Sequence, residues 1–503
     1  MKAAFANIPV HVTLGDGALD PVAARRLTSV LVRQRLSAPS VAELTFAEPP
    51  DDFVGGLRFG MAVKLATGAD DVLFDGETTA IEHERDGAEG RVVRVRAYDR
   101  LHRLRKKQRA RVGESMPVSK FLADTVGEIG LDCDAAETGP VRGLIVQYEQ
   151  SDLDILVALA ADAGLYFYLD GGTLRLTSLA GEGDAIDLKV GRELSVARAT
   201  ASAEAMRRGT QTKAWDVLHT VVVDATASVA RQDAIDMHGP DTAAFGDVGK
   251  RTLFNRLAND AGEAQAQAQA DLDRSAGRDV IIEATAMGDP AIRPGRLVNI
   301  LGLSDDIDGR YPVTVAEHTI TEASGYLTTF STEPPRIARP TAGPCPSFTF
   351  GTVTDVNDPE RLSRVRAKLP LLGDLEGAWM PVVIPGAGLE KGLAVLPEVD
   401  DEVLIVFPQG DPAYGIVLGG LYGKRKAPGL VDSGTRPFAF RTGNGQAITL
   451  DAEKGLARIE TSGGDVLELG PGGAKIHATR DLLIEAPGRR LTIRADAIEF
   501  ERG

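Results

Sequence analysis

Histidine offers the widest chemistry among the side chains of this sequence, because imidazole can bind a metal ion or transfer a proton near neutral pH. No two histidines lie two or four positions apart, the spacings at which a strand or a helix places two ligands on one face. Three copies of His477 could meet on a threefold axis and bind a metal, but its neighbours Ile476 and Ala478 are apolar and are expected to face inward. His477 then faces solvent, and we predict no metal site. The seven histidines are His11, His83, His102, His219, His238, His318 and His477.

Motifs for phosphate binding and nucleophilic catalysis are absent from the sequence. The nearest approach to a P-loop contains Gly249 and Lys250, but Ala244 replaces its first glycine and Arg251 its Ser or Thr. Neither a G-x-S-x-G turn nor an H-E-x-x-H pair occurs. Acidic pairs such as Asp305-Asp306 are common in an acidic chain. We therefore predict no catalytic residue, no cofactor and no enzymatic activity, and keep an envelope-degrading, lysozyme-like enzyme as the alternative.

Composition narrows the classes of partner. The 503 residues include 72 Asp and Glu against 56 Lys and Arg, a net charge of −16 that opposes binding to nucleic acid or anionic lipid. A second alternative is a β-rich module that binds nucleic acid or carbohydrate; aromatic residues make up only 5%, which disfavours its oligonucleotide form. Two cysteines exclude a disulfide framework, and neither a long apolar run nor a signal peptide is present. We expect assembly in the cytoplasm.

The elements that must position any site are mainly short strands with a few helices. Period-2 alternation predicts strands at 40–46 and 90–98, and Asp99 precedes a basic helix over 100–109 whose cations are expected to be solvated or to face acidic groups. Ser151 and Asp154 form an aspartate variant of the capping box before an apolar helix. Further predictions are a hairpin of 165–169 with 173–177 and a helix over 263–275 ending at Gly277.

A second region, residues 348–422, has the pattern of a compact β unit. About five short strands fit within it, which suits a small closed barrel of the OB type. The proline-dense stretch from Ser331 to Pro346 precedes it and predicts a boundary near residue 340, since proline interrupts both ladders and helices.

The C-terminal segment from Gln446 to Phe500 carries apolar residues at alternate positions, in strands whose centres lie about eight residues apart. The centres are Thr449, Ile459, Leu467, Ile476, Leu483, Thr492 and Glu499. A fixed short period indicates a β-helix. One chain provides no second layer to cover the apolar side of such strands, so we expect three intertwined copies; an ordinary repetitive β-sandwich is the alternative. The predicted trimer core comprises Ile448, Leu450, Leu469, Ile476, Ile484, Ile493 and Phe500.

An ordered set of motifs resembles the VgrG spike family, whose members are related to the hub and needle proteins of contractile phage tails. One motif is Leu144–Asp154 followed by Gly164–Tyr168, and another is Pro397–Phe407 with Gly410–Pro412 and Gly419–Tyr422. The motifs follow the family's order over nearly the whole chain. Asp400 stands where the family usually has Gly, and we expect the turn to survive because Asp tolerates a positive φ better than most residues.

The resemblance implies a mainly β protein with four parts. These are a phage-hub-like domain of β-barrel subdomains with a few helices (1–344), an OB-fold domain (345–425), a linker (426–437) and a β-helix needle (438–503). The segment between barrel and needle is too short for an enzyme domain.

The resemblance also implies a structural, homotrimeric spike of a contractile injection system, either type VI or extracellular and phage-tail-like. It would contact the inner tube ring and baseplate proteins, carry a PAAR-type tip protein, have the capacity for effector cargo, and meet a target membrane only by puncture. Such a particle acts outside the producing cell or inside a target cell.

Overall fold

The computed structural model describes residues 10–68, 71–87, 90–204, 206–232, 249–336, 347–389, 391–422 and 438–501. Strands dominate these residues, which confirms the predicted mainly β class. The chain divides into two compact units, Met1–Gly420 and Leu421–Gly503.

The first group of strands shows the alternation predicted from the sequence. In Val41–Ala47, Ala42, Leu44 and Phe46 are buried, while the residues between them are partly exposed. One face of the strand therefore enters the core and the other meets solvent. The group comprises β1 (His11–Leu14), β2 (Gly17–Ala18), α1 (Pro21–Ala24), β3 (Leu27–Arg35), β4 (Val41–Ala47), α2 (Asp51–Gly56), β5 (Ala62–Ala66), β6 (Val72–Asp86) and β7 (Gly90–Tyr98).

The basic helix predicted over 100–109 is shorter than expected. It is a 3-10 helix, Arg100–Lys106, with Leu101, His102 and Leu104 buried, and it ends there because the backbone becomes extended at Lys107, whose carbonyl accepts the Asp152 backbone N–H. One of its cations, Arg103, faces an acidic group of the same chain: it donates to Glu77 at 2.5 and 2.9 Å and holds the pKa of that carboxyl down at about 2. Among the basic residues of 100–109, Arg103, Lys107 and Arg109 therefore pair with acidic groups of the same chain.

Residues 111–177 confirm two local predictions, the capping box at Ser151 and the hairpin of 165–169 with 173–177. Ser151 accepts the Asp154 backbone N–H, and the Ser151 N–H donates to the Asp154 carboxylate, each at 3.2 Å, so the capping box is complete. The segment contains β8 (Arg111–Pro117), α3 (Val118–Gly127), β9 (Asp132–Ala135), β10 (Val141–Gln147), α4 (Asp152–Asp162) and the predicted hairpin of β11 (Tyr166–Asp170) with β12 (Thr173–Thr177).

A second group of strands completes the N-terminal part. The predicted second helix extends slightly beyond its expected bounds and ends at Gly277. The group comprises β13 (Glu182–Lys189), β14 (Leu194–Ala201), β15 (Thr210–Asp216), β16 (Val221–Ala227), β17 (Arg251–Leu257), α5 (Ala261–Ala276), β18 (Val280–Met287), β19 (Arg296–Leu301), β20 (Gly309–Pro312), β21 (Val315–Thr321) and β22 (Gly325–Ser331). Both groups share one eleven-stranded sheet, ordered β14-β18-β22-β21-β3-β4-β7-β6-β5-β1-β2.

The predicted small barrel is a five-stranded sheet ordered β25-β24-β23-β26-β27. Asp400 has φ of 71°, so the turn before β26 forms with Asp in the position that favours glycine. The barrel core contains Val353, Ala367, Ile405, Phe407 and Val417. Its strands are β23 (Phe348–Asp355), β24 (Arg366–Leu369), β25 (Leu375–Glu376), β26 (Glu402–Val406) and β27 (Ile416–Leu421), with short 3-10 turns at Pro370–Leu372, Pro408–Gly410 and Pro412–Tyr414.

The C-terminal unit is an antiparallel meander of β28 (Phe438–Arg441), β29 (Ala447–Asp451), β30 (Leu456–Glu460), β31 (Val466–Gly470) and β32 (Gly473–His477). Four of the seven predicted strand centres fall in these strands. The other three, near Leu483, Thr492 and Glu499, lie in residues 478–501, which form neither helix nor strand. A strand needs a hydrogen-bonded neighbour, and a single chain supplies none there.

The predicted boundary between residues 344 and 345 and the predicted linker 426–437 lie outside the described residues. The four-part division by residue number therefore stays a prediction.

A buried ion pair holds one turn of the barrel. Arg364 and Asp358 are 2% and 3% exposed and 2.6 Å apart, and Asp358 also accepts the Leu362 backbone N–H at 2.7 Å. The hydrogen bonds from Arg364 lower the pKa of Asp358 to about 2. The ionised carboxylate therefore stabilises the fold above its ordinary pKa of 3.8, and this contribution is lost as pH falls from about 4 to about 2.

Arg364→Leu should destabilise the barrel by about 3–5 kcal/mol at pH 7, because Asp358 is left buried without its cation. Thermal unfolding measured at pH 7 and pH 3 should show a smaller difference between variant and parent at the lower pH. Lys368→Ala is the matched control: its partner Asp374 is exposed and 3.4 Å away, so we expect a change within about 0.5 kcal/mol. Equal effects of the two substitutions would contradict the assignment.

Candidate assembly surface

The strand register of the C-terminal unit gathers its large apolar side chains on one side. Directly opposed residues of an antiparallel pair share a face, and here Phe440 opposes Ile448, Ile448 opposes Ile459, and Leu467 opposes Ile476. We call this side the C-terminal apolar face. It comprises Phe438, Phe440, Ile448, Leu450, Ala457, Ile459, Leu467, Leu469, Ala474 and Ile476.

This face is uncovered in the single chain. Its large side chains are between 39% exposed, at Leu467, and 77% exposed, at Phe438. A contiguous apolar surface across five strands is unusual on a monomeric protein and marks an interaction site.

The other side of the same sheet is polar. Arg458 donates to Glu460 at 2.8 Å and to Glu468 of the neighbouring strand at 3.0 Å. Lys475 and His477 lie on this side, and His477 is therefore opposite to Ile476, as predicted. The sheet is therefore amphipathic, with one apolar side and one mostly polar side.

The structure brings together four of the seven predicted core residues. Ile448, Leu450, Leu469 and Ile476 share the C-terminal apolar face. Ile484, Ile493 and Phe500 lie in residues 478–501, where they are 58%, 64% and 94% exposed. That these three residues join the same core in a trimer stays a prediction.

Four large members of the face were missed from the sequence: Phe438, Phe440, Ile459 and Leu467. The available signal was the same alternation, since Phe438 and Phe440 are two residues apart and Leu467 precedes Leu469 by two. The register, with Ile459 opposite Ile448, shows which side these residues occupy.

The last strand leaves an open edge. β32 is exposed along its whole length and is the outermost strand of the sheet among the described residues. Unpaired edges of this kind are templates for pairing with another chain. The C-terminal unit thus has both an unpaired strand edge and an uncovered apolar face among the described residues.

Asp465 fixes the path by which the chain leaves β32. Its carboxylate accepts the Thr479 backbone N–H and the Thr479 hydroxyl, each at 2.8 Å, and the Thr461 hydroxyl at 3.0 Å. The Thr479 backbone N–H is the main reason that the pKa of Asp465 lies below its ordinary value. This contact directs the start of residues 478–501.

Other parts of the described chain offer little chemistry. No group of three His, Cys, Asp or Glu residues within the described ranges could hold a metal ion. A cleft of about 860 Å³ is lined by a balanced mixture of charges, in which Arg293 pairs with both oxygens of Asp170. Asp99, also at this cleft, accepts the backbone N–H groups of Ser40 and Leu101, so its role is structural although burial raises its pKa to about 7.

None of the helices in the described ranges is both long enough and apolar enough to cross a membrane.

Two family models match the sequence. The model described as the phage tail baseplate hub (GPD) matches residues 33–324, more than half of the chain, and the model of the type VI secretion system/phage-baseplate injector OB domain matches residues 349–422. No curated protein matches.

Solved structures share the fold at low sequence identity. One is the Escherichia coli c3393 protein, described as a type VI secretion component similar to T4 tail proteins gp27 and gp5, with 14% identity, a TM-score of 0.53 and coverage of 82% of this chain and 99% of that one. Another is the Francisella PdpA-VgrG complex, half-lidded, with 8% identity, a TM-score of 0.55 and coverage of 93% and 87%. A third is the 43 kDa tail protein of prophage MuSo2 from Shewanella oneidensis, with 16% identity, a TM-score of 0.50 and coverage of 64% and 97%.

Asp465→Ala should release the start of residues 478–501 from the sheet, because three hydrogen bonds are lost. The Thr479 amide should then exchange with deuterium faster, as measured by mass spectrometry at pH 7. In the parent protein, protection of this amide should fall as pH drops below the ordinary pKa of Asp, since the lowered pKa means that the ionised form makes the contact. Asp481→Ala is the control. Unchanged exchange at Thr479 in Asp465→Ala would contradict this role.

Proposed function

The chain belongs to the phage tail baseplate hub family, and on that premise we propose that three copies form the central spike of a contractile injection apparatus. The family places it as a structural component of a phage-tail-like or type VI machine. The finer features, namely the trimer, the needle and the puncturing action, are our proposal.

The uncovered C-terminal apolar face is the observation that carries the proposal. Eight large apolar side chains per chain are about half exposed, and covering them would contribute about 6–12 kcal/mol per chain. That is comparable with the whole stability of an ordinary domain, so leaving the face in water is strongly unfavourable. Three copies that turn these faces toward one axis would cover all of them at once.

Residues 478–501 would extend the same core. Leu491 and Ile493 alternate with polar residues, and Leu482 and Ile484 are two residues apart with Leu483 between them. Paired with neighbouring copies, these segments would become strands and close the open edge of β32. Ile484, Ile493 and Phe500 would then continue the apolar axis begun by the face.

The proposed action is mechanical. A rigid needle of interlocked chains would be driven through a target envelope when the sheath contracts, and no residue needs to be catalytic. The hub would cap the inner tube ring and contact baseplate proteins, and the needle would carry a PAAR-type tip protein. The resemblance of the motifs to the VgrG family supports these partners.

Light scattering on the purified full chain should give about three times the chain mass of 53.3 kDa. The expectation follows from the cost of leaving the apolar face in water. A monomer at micromolar concentration would overturn the proposal.

Ile448→Asp should abolish or strongly weaken the trimer, because three carboxylates would be buried close to one axis without partners. Ile484→Asp and Ile493→Asp should do the same, with the hub folded in each case by circular dichroism. Thr449→Asp is the matched control: it lies next to Ile448, on the polar side, opposite Arg458. A heat-resistant trimer in Ile448→Asp, measured by light scattering after heating, would show that the inward face is wrongly assigned.

A further inference from the structure

The turn between β15 and β16 lies against a loop of the barrel, within the compact unit Met1–Gly420. His219 of this turn is half-exposed, and both of its ring nitrogens face carboxylates. Its Nδ1 lies 2.5 Å from a carboxylate oxygen of Asp216, and its Nε2 lies 3.2 Å from a carboxylate oxygen of Glu360 in the barrel loop. We call these three residues the His219 clasp.

Asp216 fixes the turn at one end of the clasp. Its buried carboxylate accepts the backbone N–H of Leu218 at 2.8 Å and that of His219 at 3.2 Å, in addition to its contact with the imidazole. A carboxylate that accepts N–H groups two and three residues further along the chain stabilises a tight turn. The position of the His219 ring is therefore set by the last residue of β15.

The barrel loop fixes Glu360 at the other end of the clasp. Arg364, which is almost fully buried, donates to Glu360 at 2.9 Å and to Asp358 at 2.6 Å. Asp358 also accepts the backbone N–H of Glu360 at 3.1 Å. The hydrogen bond from Arg364 is the main reason, and the one from His219 the second, that the pKa of Glu360 lies below its ordinary value. Glu360 is therefore ionised at neutral pH.

The protonation state of His219 decides how many of these contacts can form. A neutral imidazole carries one N–H and donates to one carboxylate only, whereas the protonated ring donates from both nitrogens. Loss of the proton leaves one ring nitrogen with its lone pair directed at a carboxylate oxygen, and removes the cation that lies between Asp216 and Glu360. The observed geometry therefore fits the protonated ring.

We propose that the His219 clasp is a proton-operated contact, which ties the β15–β16 turn to the barrel when His219 is protonated and releases it when the ring loses its proton. The hydrogen bonds, first to Asp216 and then to Glu360, raise the pKa of His219 above its ordinary value of 6.5. A raised pKa stabilises the contact fully below the ordinary value, and the stabilisation is lost as pH rises through the raised one. The clasp acts within one chain, so it does not depend on the proposed trimer.

Other contacts hold the barrel to the N-terminal strands and helices without a histidine. Arg366 of β24 donates to Glu114 of β8 at 2.5 Å. The hydroxyl of Tyr414 donates to the buried carboxylate of Glu263 in α5 at 3.1 Å. Release of the clasp would therefore loosen one edge of the barrel and leave the barrel attached, so that pH adjusts how firmly this edge is held.

Exchange of the imidazole C2 hydrogen with deuterium, followed by mass spectrometry of the full chain, measures the pKa of His219 itself. We expect a value above 6.5 in the parent protein and a lower value in Glu360→Gln, because a neutral amide stabilises the imidazolium charge less than a carboxylate does. Asp374→Asn is the matched control, since the carboxylate of Asp374 pairs with Lys368 of the barrel, and it should leave the pKa of His219 unchanged. Equal values in the parent protein and Glu360→Gln would overturn the clasp.

Amide exchange tests the release of the turn. The Leu218 and Glu360 amides are compared between the parent protein and His219→Gln at matched pH values from 6 to 9, which cancels the intrinsic effect of pH on exchange. We expect about two- to fivefold faster exchange in the variant at pH 6, the range of exposed ion pairs, and equal rates at pH 9, where the parent protein has also lost the contact.

Two further variants make the test specific to the proton. His219→Arg stays charged at every pH tested and should retain slow exchange at pH 9. His477→Gln, in the C-terminal unit, should exchange like the parent protein at these amides throughout. A difference between the parent protein and His219→Gln that is absent at pH 6, or that is the same at pH 6 and pH 9, would overturn the proposal.

Discussion

A sheet with one apolar side must have that side covered, and the C-terminal unit depends on this constraint. Its five strands place large apolar residues on one side and ion-paired Arg458, Glu460 and Glu468 on the other. The described part of the chain has no second layer over the apolar side. In the proposed trimer, identical copies would cover the apolar side and would also supply neighbours for the open edge of β32.

In the N-terminal unit, the apolar sides of the strands are covered by other parts of the same chain. Its strands close around cores in which Phe46, Phe167 and Phe330 are almost completely buried. In the barrel core, Ile405 and Phe407 are buried to the same degree. In the proposed trimer, the chain would combine a part that buries its own apolar side chains with a part that other copies complete. The family match to the baseplate hub covers the self-sufficient part, while the proposed needle lies beyond it.

Local features were predictable from the sequence because their causes are local. The Ser151 capping box, the hairpin around Gly171 and the positive φ at Asp400 depend on a few neighbouring residues. The face occupied by Ile459 was not predicted, since it depends on register against Ile448. The exposure of Leu389 could not be predicted from the sequence either, because it depends on which residues the rest of the barrel leaves uncovered. Strands beyond His477 need neighbours that one chain lacks.

The exposed edge of β32 also bears on the order of events during synthesis. Residues 10–420 leave the ribosome before residues 438–477 and can bury their own apolar side chains at once. The strands of the C-terminal unit are synthesised last, so the apolar face of each nascent chain is exposed to solvent only briefly. Newly made copies on one polysome would then meet with their N-terminal units already folded. Only the proposed assembly surface would still be uncovered, which reduces the aggregation that exposed apolar strand edges favour.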